Sequence, residues 1–302
     1  MKEITVSIFM LTYNQENFIA QAIEGVLMQE TSFTYQLVIG EDCSTDRTRE
    51  ICKEYADKYP EKIKLLLNEK NIGLGANYVK TYAKCTGKYV AICDGDDYWT
   101  DPLKLQKQVD FLEQTKDFSL VYTLKNNLFP SGEMKAPGSD YLNIQNFEDL
   151  VKGNYIASVT ALFRNEKLSP DLEKYIPGFP YGDWPTYLLV LRDGGRIKLL
   201  PEVTAVYRKD FGTSTKLRKR RSTLGEINLE ILRVIYRDPF FLENKEHVKV
   251  GILKFQKGLM GSYNKERRFG KSLYLLLVLT FSTSPLKLWP LYLYSLKKSI
   301  LK

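Results

Sequence analysis

The run Tyr89-Val-Ala-Ile-Cys93 leads directly into Asp94-Gly-Asp-Asp97, so an apolar, strand-like segment ends against three carboxylates within four residues. In an open α/β sheet, ligands bind beyond the carboxyl ends of the strands, which is where such a turn would lie. Two unit charges about 4 Å apart repel each other by ~1 kcal/mol in water and by ~4 kcal/mol near a protein surface. The cluster therefore requires a bound cation, helix amides or altered protonation.

Outward from this run, strand-like segments alternate with amphipathic helical segments through the first 125 residues. We predict strands at 4–10, 35–40, 63–67, 89–93 and 119–123, and helices at 18–28, 47–59, 76–85 and 103–114. This succession implies right-handed crossovers and predicts an α/β fold, a Rossmann-like and mostly parallel sheet flanked by helices. The polar residues 12–14, 41–44 and 94–97 each follow a strand and are expected to share one edge of that sheet.

The rest of the chain is expected to complete this domain and to add a helical extension. Residues 126–158 are turn-rich and are predicted to pass over the site. Further elements are predicted at 157–163, in a helix from Trp184, in strands at 197–200 and 204–207, and in helices at 227–236 and 248–259. We predict one α/β domain at 1–215 and a basic helical C-terminal region at 216–302.

The composition is that of a folded globular protein. The chain has 302 residues, of which 44% are hydrophobic and 26% charged, and this excludes disordered, collagen-like and coiled-coil classes. Its four cysteines, at positions 43, 52, 85 and 93, show neither zinc-site spacing nor the density of a secreted scaffold. We expect reduced thiols and a cytoplasmic protein, and the start of the chain shows no secretory signal.

Positive charge is concentrated in the C-terminal region. Lys and Arg number 25 against 30 Asp and Glu in residues 1–215, but 19 against 6 in residues 216–302. The apolar segments 273–281 and 286–296 are shorter than the ~20 residues of a membrane span. Trp289, Tyr292 and Tyr294 suit a headgroup region, and the basic residues suit anionic lipid. We expect peripheral attachment to the inner face of the plasma membrane; the alternatives are helices packed on the body and a homodimer seam.

A hard divalent cation, Mg²⁺ or Mn²⁺, is the simplest partner for the carboxylates of Asp94, Asp96 and Asp97. The alternative is an Asp-rich turn that caps the helix beginning near Pro102. Asp101 already suits that cap, since it stands just before a proline at the favoured first helical position. This leaves the three upstream carboxylates for a metal.

Four further candidates each allow two interpretations. Asp42 suits a base or a ribose hydroxyl, and Asn71-Ile-Gly-Leu-Gly75 is either a phosphate loop or a simple turn. Asp183, in Gly182-Asp-Trp-Pro185, either initiates a helix or acts in catalysis. Arg208 ends the last predicted strand, where it is a spare surface arginine or a donor to diphosphate or to a carboxylate partner.

Taken together, these motifs resemble family 2 glycosyltransferases of the GT-A fold, over residues 4–215. The resemblance depends on the order of the motifs. In this chain they are Ser7-Ile-Phe-Met-Leu-Thr-Tyr-Asn14, Ala22-Ile-Glu-Gly-Val-Leu-Met-Gln29, Gly40-Glu-Asp-Cys-Ser-Thr-Asp46, Asn71-Ile-Gly73, Asp94-Gly-Asp-Asp97 and Gly182-Asp-Trp-Pro185.

The resemblance implies an inverting, metal-dependent transfer of a sugar from a nucleotide-sugar donor, a UDP-sugar by family analogy, to a glycan or lipid-linked acceptor in surface polysaccharide synthesis. It implies that Asp183 is the catalytic base. The implied donor-binding residues are Thr12, Tyr13, Asn14, Asp42, Asn71, Gly73, Asp94, Gly95 and Arg208. The implied ligands of Mn²⁺ or Mg²⁺ are Asp94, Asp96, Asp97 and Asp210. Asp210 stands where the family often has a histidine, and the only histidine of this chain is His247.

Other function classes fit the sequence less well. A dinucleotide-dependent oxidoreductase needs Gly-x-Gly-x-x-Gly after its first strand, where this chain has Thr12-Tyr-Asn-Gln-Glu16. The sequence around the basic run 216–221 shows no recognisable base-reading module, so nucleic-acid binding is poorly supported. Two alternatives stay open: a nucleotidyltransferase, which would release pyrophosphate, and a non-catalytic, membrane-docked module that binds nucleotide sugars.

Overall fold

The computed structural model describes residues 3–138, 142–166, 168–211, 220–282 and 285–300. Contacts divide the chain into two compact units. The first unit comprises Met1–Phe147 and Asn154–Gly212, and the second comprises Glu148–Gly153 and Thr213–Lys302. The predicted domain boundary at residue 215, and residues 216–219 of the basic run, lie outside the described residues.

The first unit contains a mixed, mostly parallel sheet with helices on its faces. Its strands are β1 Val6–Thr12, β2 Tyr35–Glu41, β3 Ile63–Leu67, β4 Tyr89–Ile92, β5 Tyr98–Trp99, β6 Phe118–Leu128, β7 Met134–Lys135, β8 Ile144–Gln145, β9 Ala161–Arg164 and β10 Arg196–Arg208. Its helices are α1 Ile19–Leu27, α2 Thr48–Lys58, α3 Leu74–Tyr82, α4 Lys104–Gln114, α6 Ser169–Tyr175 and α7 Asp183–Val190, and the short α5 Phe147–Leu150 begins in this unit. The predicted α/β fold class is confirmed.

The strand order places the ends of several strands at one edge of the sheet. The order is β3-β2-β1-β4-β9-β6-β10-β5. Strands β1 to β4 pair in parallel, whereas β9 runs antiparallel to both β4 and β6, and β10 is parallel to β6. The carboxyl ends of β1, β2, β4, β6 and β10 therefore meet at the same edge, together with the amino end of β9.

The sheet is buried on both faces, as its apolar strands predict. On β1, Ile8 and Met10 are fully buried on one face and Phe9 on the other. The ring of Phe9 lies 4.5 Å, centroid to centroid, from that of Tyr78 on α3. Helix α3 also approaches β2 so closely that a Cβ at Gly40 would lie 1.9 Å from Oγ1 of Thr81. This close packing fixes α3, and the loop that precedes it, against the edge of the sheet.

Two sequence predictions differ from the structure. The strands predicted at 197–200 and 204–207 are one strand, β10, whose register shifts between Leu199 and Ala205. Pro201 lies in this interval and has no N–H for the ladder, so the irregularity accommodates the proline without ending the strand. The sequence interpretation also leaves out α6, which begins at Ser169 with a proline in its first turn.

The second unit contains helices α8 Arg221–Arg237, α9 Lys245–Lys265, α10 Phe269–Ser282 and α11 Pro285–Ile300. They share an apolar core that draws on all four helices. Its buried members are Leu229, Leu259, Met260, Tyr263, Leu275, Leu276, Leu279, Leu288 and Tyr292. Among the described residues, none of the helices combines the length and the hydropathy that crossing a bilayer would require.

Candidate active site

Two backbone hydrogen bonds join β1 to the acidic turn, residues 94–97 after β4, and to the cysteine before it. The amide of Cys93 donates to the carbonyl of Phe9, and the amide of Gly95 donates to that of Leu11, each at 3.0 Å. A Cβ at Gly95 would lie 2.9 Å from Oγ1 of Thr12, so only glycine fits here without displacing a neighbour. The structure thus brings together two of the predicted site residues, Thr12 and Gly95, at the shared edge of the sheet.

Asp97 connects the acidic turn to β10. The backbone amide of Arg208 donates to Oδ1 of Asp97 at 2.7 Å, and the guanidinium of Arg208 donates to the carbonyl of Asp96 at 2.7 Å. Asp97 is 2% exposed and Arg208 is 6% exposed. Burial first, and the charge of Asp96 second, raise the pKa of Asp97 well above its usual range. In this structure Asp97 is a buried carboxyl group that organises the turn.

The Arg208 side chain is buried within the first unit, against Phe18 and Tyr98. Its guanidinium lies 4.7 Å from the ring centroids of both Phe18 and Tyr98 and also donates to Gln21. Burial lowers the pKa of Arg208, partly offset by Tyr98 and Asp97. The sequence predicts a donor to diphosphate at this position. The structure places the side chain between two aromatic rings, where it holds the turn that carries the acidic residues.

Asp94 and Asp96 are the partly exposed members of the acidic turn. Burial, followed by the charges of Asp96 and Asp183, raises the pKa of Asp94 to about 7. Burial also raises the pKa of Asp96, which Arg208 partly offsets. The hydroxyl of Ser158 donates to Oδ2 of Asp94 over 3.4 Å. A negative charge on either carboxylate is therefore only weakly stabilised by its surroundings, and a bound cation would favour the charged form.

Asp183 is the first residue of α7, where the positive end of the helix dipole favours a carboxylate. Its negative charge contributes to the raised pKa of Asp94, so α7 brings Asp183 near the acidic turn. The side-chain amide of Asn154 donates to Oδ2 of Asp183 at 2.8 Å. Burial raises the pKa of Asp183, whereas its hydrogen bonds with Trp184 and Asn154 lower it.

Close packing fixes the start of α7. A Cβ at Gly182 would lie 2.5 Å from the Tyr78 ring, and the hydroxyl of Tyr78 is hydrogen-bonded to that of Thr186 at 2.9 Å. Sequence reasoning identified Asp183 but missed Asn154 and Ser158. Both lie in or beside the turn-rich segment 126–158, where no local pattern distinguishes them.

Asp42 is held by the loop that precedes α3. Oδ1 of Asp42 accepts hydrogen bonds from the side-chain amide of Asn68 and the backbone amide of Ile72, and Oδ2 accepts one from the amide of Gly73, each at 2.9 Å. Gly73 has a φ of 83°, in the region that favours glycine. The structure thus brings together Asp42 and Gly73, and the two loop amides that resemble a phosphate cradle donate to a carboxylate of this chain.

The loops after β1 and β2 hold each other through Asn14. Its backbone amide donates to Oγ of Ser44 at 3.0 Å, and its Oδ1 accepts from the amide of Thr45 at 2.8 Å. The neighbouring Tyr13 is 41% exposed at the same edge. Asn71 is exposed as well, and its Oδ1 accepts from the amide of Gly73 at 3.1 Å. These exposed groups are available to a ligand, whereas Asp42 is enclosed.

The oxygen ligands of the acidic turn have the hard character that Mn²⁺ and Mg²⁺ prefer. Asp94 and Asp96 fit such an ion, because their charges are weakly compensated. Asp97 fits less well because the Arg208 amide occupies it. Asp210 is exposed, with a φ of 64°. Within the described residues, no three His, Cys, Asp or Glu side chains converge on one metal position, so any bound ion would need further ligands from water or a donor phosphate.

Known proteins include relatives with similar sequences. An uncharacterized protein of Mycobacterium tuberculosis is 34% identical over 207 residues, which cover 68% of this chain and 58% of that protein. TuaG of Bacillus subtilis, provisionally named a teichuronic acid biosynthesis glycosyltransferase, is 28% identical over 67% of this chain and 78% of its own length. The chain thus spans less than two thirds of the mycobacterial relative.

Two solved structures share the fold at low sequence identity. TarS of S. aureus, residues 1–349 in complex with UDP-GlcNAc, has a TM-score of 0.62 and 19% identity, over 98% of this chain and 81% of that one. The mannosyltransferase PcManGT of Pyrobaculum calidifontis, in complex with GDP-Man and Mn²⁺, has a TM-score of 0.59 and 16% identity, over 99% of this chain and 87% of that one.

The sequence model of glycosyl transferase family 2 matches residues 7–169. That stretch includes β1, the loop after β2 and the acidic turn, all of which meet at one edge of the sheet. It covers more than half of the chain, and the fold comparisons extend the likeness through α7 and β10. The chain therefore belongs to glycosyltransferase family 2.

Proposed function

We propose that this chain transfers a sugar from a nucleotide-sugar donor to a hydroxyl group of an acceptor, with inversion at the anomeric carbon. The observation that carries the proposal is the position of Asp183 at the start of α7, where it accepts a hydrogen bond from Asn154, four residues before the Ser158 that donates to Asp94 of the acidic turn. A base beside a diphosphate site is the arrangement that a single displacement requires. Among the residues that the structure describes we assign one such base, and a single displacement needs no second carboxylate as nucleophile.

In this proposal the donor nucleotide lies along the edge formed by the loops after β1, β2 and β4. Exposed Tyr13 offers a ring for the base, and Asn14 and Asn71 offer polar groups. Asp42 is enclosed by three hydrogen bonds, so its role is to position the Asn71-Ile72-Gly73 loop. We propose a UDP-sugar, which is supported by the fold likeness to TarS, itself solved with UDP-GlcNAc.

Asp94 and Asp96 would hold Mn²⁺ or Mg²⁺ together with the donor diphosphate. A bound divalent ion supplies charge neutralisation to a departing nucleoside diphosphate. The fold neighbour PcManGT was solved with Mn²⁺ and GDP-Man, which supports this choice of ion. Within this chain, Arg208 and Asp97 keep the acidic turn in place, and Ser158 donates to Asp94.

Asp183 takes the proton from the acceptor hydroxyl. Its Oδ2 accepts a hydrogen bond from Asn154, which holds the carboxylate in position to act as the base. Burial raises the pKa of Asp183, and a more basic carboxylate accepts the proton more readily. General-base assistance of this kind contributes about 10²–10⁴-fold to rate.

We propose that the acceptor is a glycan or a lipid-linked glycan in the synthesis of a surface polysaccharide. The support is the likeness to TuaG, whose name refers to teichuronic acid biosynthesis. A panel of nucleotide sugars, tested with Mn²⁺ and a lipid extract as acceptor source, examines the whole proposal. We expect release of nucleoside diphosphate with one donor and none with EDTA.

The two alternatives give different results in the same assay. Pyrophosphate release from a nucleoside triphosphate would favour a nucleotidyltransferase. Donor binding without turnover across the panel, by a chain shown to be folded, would favour a binding module.

A further inference from the structure

Helices α10 and α11 are apolar on the side that faces solvent as well as on the side that faces their core. Leu276 and Leu279 of α10 are fully buried, and Leu288 and Tyr292 of α11 are nearly so. A helix that is hydrophobic all round is normally covered on every side. The other sides of these two helices nevertheless expose large apolar residues, namely Leu273, Tyr274, Leu277, Trp289, Leu291, Leu293 and Tyr294.

Every charged residue in the sequence of this segment is basic. From Arg267 to Lys302 the sequence contains seven Lys and Arg residues and no Asp or Glu. Lys297 and Lys298 are exposed at the end of α11, and Nζ of Lys298 lies 4.8 Å from the ring centroid of Tyr294. Lys271 is paired with Glu226 of α8 at 3.7 Å, so this cation is partly neutralised by another helix.

We propose that the exposed face of α10 and α11 docks on an anionic lipid bilayer, with the two helices lying in the headgroup region. Apolar residues flanked by Lys and Arg match the layered polarity of a membrane surface, and tryptophan and tyrosine prefer that interface. The negative surface potential complements a region that carries only positive charge.

The charge of this surface also disfavours a homodimer formed through it. A symmetric pair would bring the same patch against itself. Two surfaces whose charged residues in this segment are all basic would then face each other, with no acidic residue in the segment to compensate. A lipid surface instead supplies the missing negative charge.

The chain contains its own probe for this interaction. It has three tryptophans, of which Trp99 and Trp184 are 2% and 0% exposed, whereas Trp289 is 42% exposed. A change in tryptophan emission on adding vesicles therefore reports on Trp289. We expect a shift to shorter wavelength and protection from acrylamide with vesicles of equal parts phosphatidylcholine and phosphatidylglycerol, and no change with phosphatidylcholine alone.

Two paired variants of the full chain test the cause. The double variant Lys297→Gln, Lys298→Gln lacks two positive charges. Each charge contributes about fivefold to affinity near an anionic surface, so vesicle binding should weaken about 25-fold. The matched control, Lys53→Gln with Lys84→Gln, removes two exposed lysines of the first unit and should bind vesicles as the parent does. Trp289→Phe should keep binding, measured by co-sedimentation, while abolishing the emission change.

Three results would overturn the proposal. These are no co-sedimentation with anionic vesicles, equal binding by both lysine pairs, and a stable dimer in sedimentation experiments without lipid in which Trp289 is already shielded from acrylamide. The proposal does not depend on sugar transfer. Nucleotide-sugar binding measured on the same variants without vesicles should be unchanged, which keeps its outcome distinguishable from that of the proposed function.

Discussion

The backbone amide of Arg208 donates a hydrogen bond to Oδ1 of Asp97 over 2.7 Å, and so joins the end of β10 to the acidic turn after β4. The two residues are 111 positions apart in sequence, and both are buried. Arg208 also donates from its guanidinium to the carbonyl of Asp96. One residue of β10 thus fixes two consecutive positions of the turn that we propose holds a metal ion. This divides the acidic cluster into a structural member, Asp97, and two proposed ligands, Asp94 and Asp96.

The first prediction tests that division. In Asp97→Asn the side-chain carbonyl can still accept from the Arg208 amide, so we expect nearly parental stability and retained Mn²⁺-dependent donor binding. In Asp97→Leu the buried Arg208 amide loses its partner, which costs about 1–3 kcal/mol in unfolding free energy.

Asp94→Asn should fold normally and lose Mn²⁺-dependent binding. Urea unfolding and calorimetry with UDP-sugar and Mn²⁺ measure these effects, and equal loss of metal-dependent binding in Asp94→Asn and Asp97→Asn would make Asp97 a ligand as well.

The second prediction concerns the proposed base. Asp183→Asn removes the proton acceptor but keeps a similar shape at the start of α7. We expect unchanged donor affinity and a transfer rate reduced by about 10²–10⁴-fold. Asp193→Asn changes an exposed carboxylate after α7 and is the matched control. Transfer by Asp183→Asn at the parental rate would exclude this residue as the base.

The third prediction uses Asn154 as a positioning residue. Its hydrogen bond stabilises the charged form of Asp183 and lowers the pKa, so Asn154→Ala should raise that pKa. The rate of a base-catalysed transfer falls as pH decreases through the pKa of the base. The acidic limb of the kcat profile should therefore move to higher pH in Asn154→Ala. A uniform loss of rate at every pH, with the limb unmoved, would contradict this role.

Much of the first unit could be predicted from local sequence patterns. The predicted strand at 63–67 agrees with β3 in both bounds, and the other early strands differ by a few residues. This succeeds because apolar runs and helical periodicity are local signals, and because parallel strands necessarily end at one edge. The same reasoning located Thr12 and Gly95 at the edge that the structure shows.

Residue roles that depend on distant partners could not be predicted. The local sequence around Arg208 predicts an exposed side chain that donates to diphosphate. Nothing in that sequence indicates that Phe18 and Tyr98 enclose the guanidinium. Asn154 and Ser158 lie in an irregular segment whose position is set by tertiary packing. The two strands predicted around Pro201 form one strand because pairing with β6 continues past the irregularity. In each case the deciding contact spans many residues of sequence.

A buried lysine gives the last prediction. Lys104 on α4 is fully buried, its Nζ donates to Oε1 of Gln108 at 2.6 Å, and it lies 4.3 Å from the Trp99 ring centroid. Burial lowers the pKa of Lys104 to about 7, from an ordinary value of 10.5, with partial offset from Cys93 and Asp101. Between these two values the unfolded chain holds a proton that the folded protein has released. The unfolding free energy should therefore rise with pH across this window.

Lys104→Met removes the titrating group and should flatten this dependence. The slope for one proton is at most about 1.4 kcal/mol per pH unit. Between about pH 7 and pH 9 the unfolding free energy of the parent should therefore rise by about 2 kcal/mol relative to that of the variant. Urea unfolding at several pH values measures the difference, and Lys84→Met, an exposed lysine, should keep the parental slope. If Lys104→Met and the parent have parallel stability profiles, the amine is charged in the folded protein. Its contact with the Trp99 ring would then be a stable cation–π pair that replaces the lost hydration.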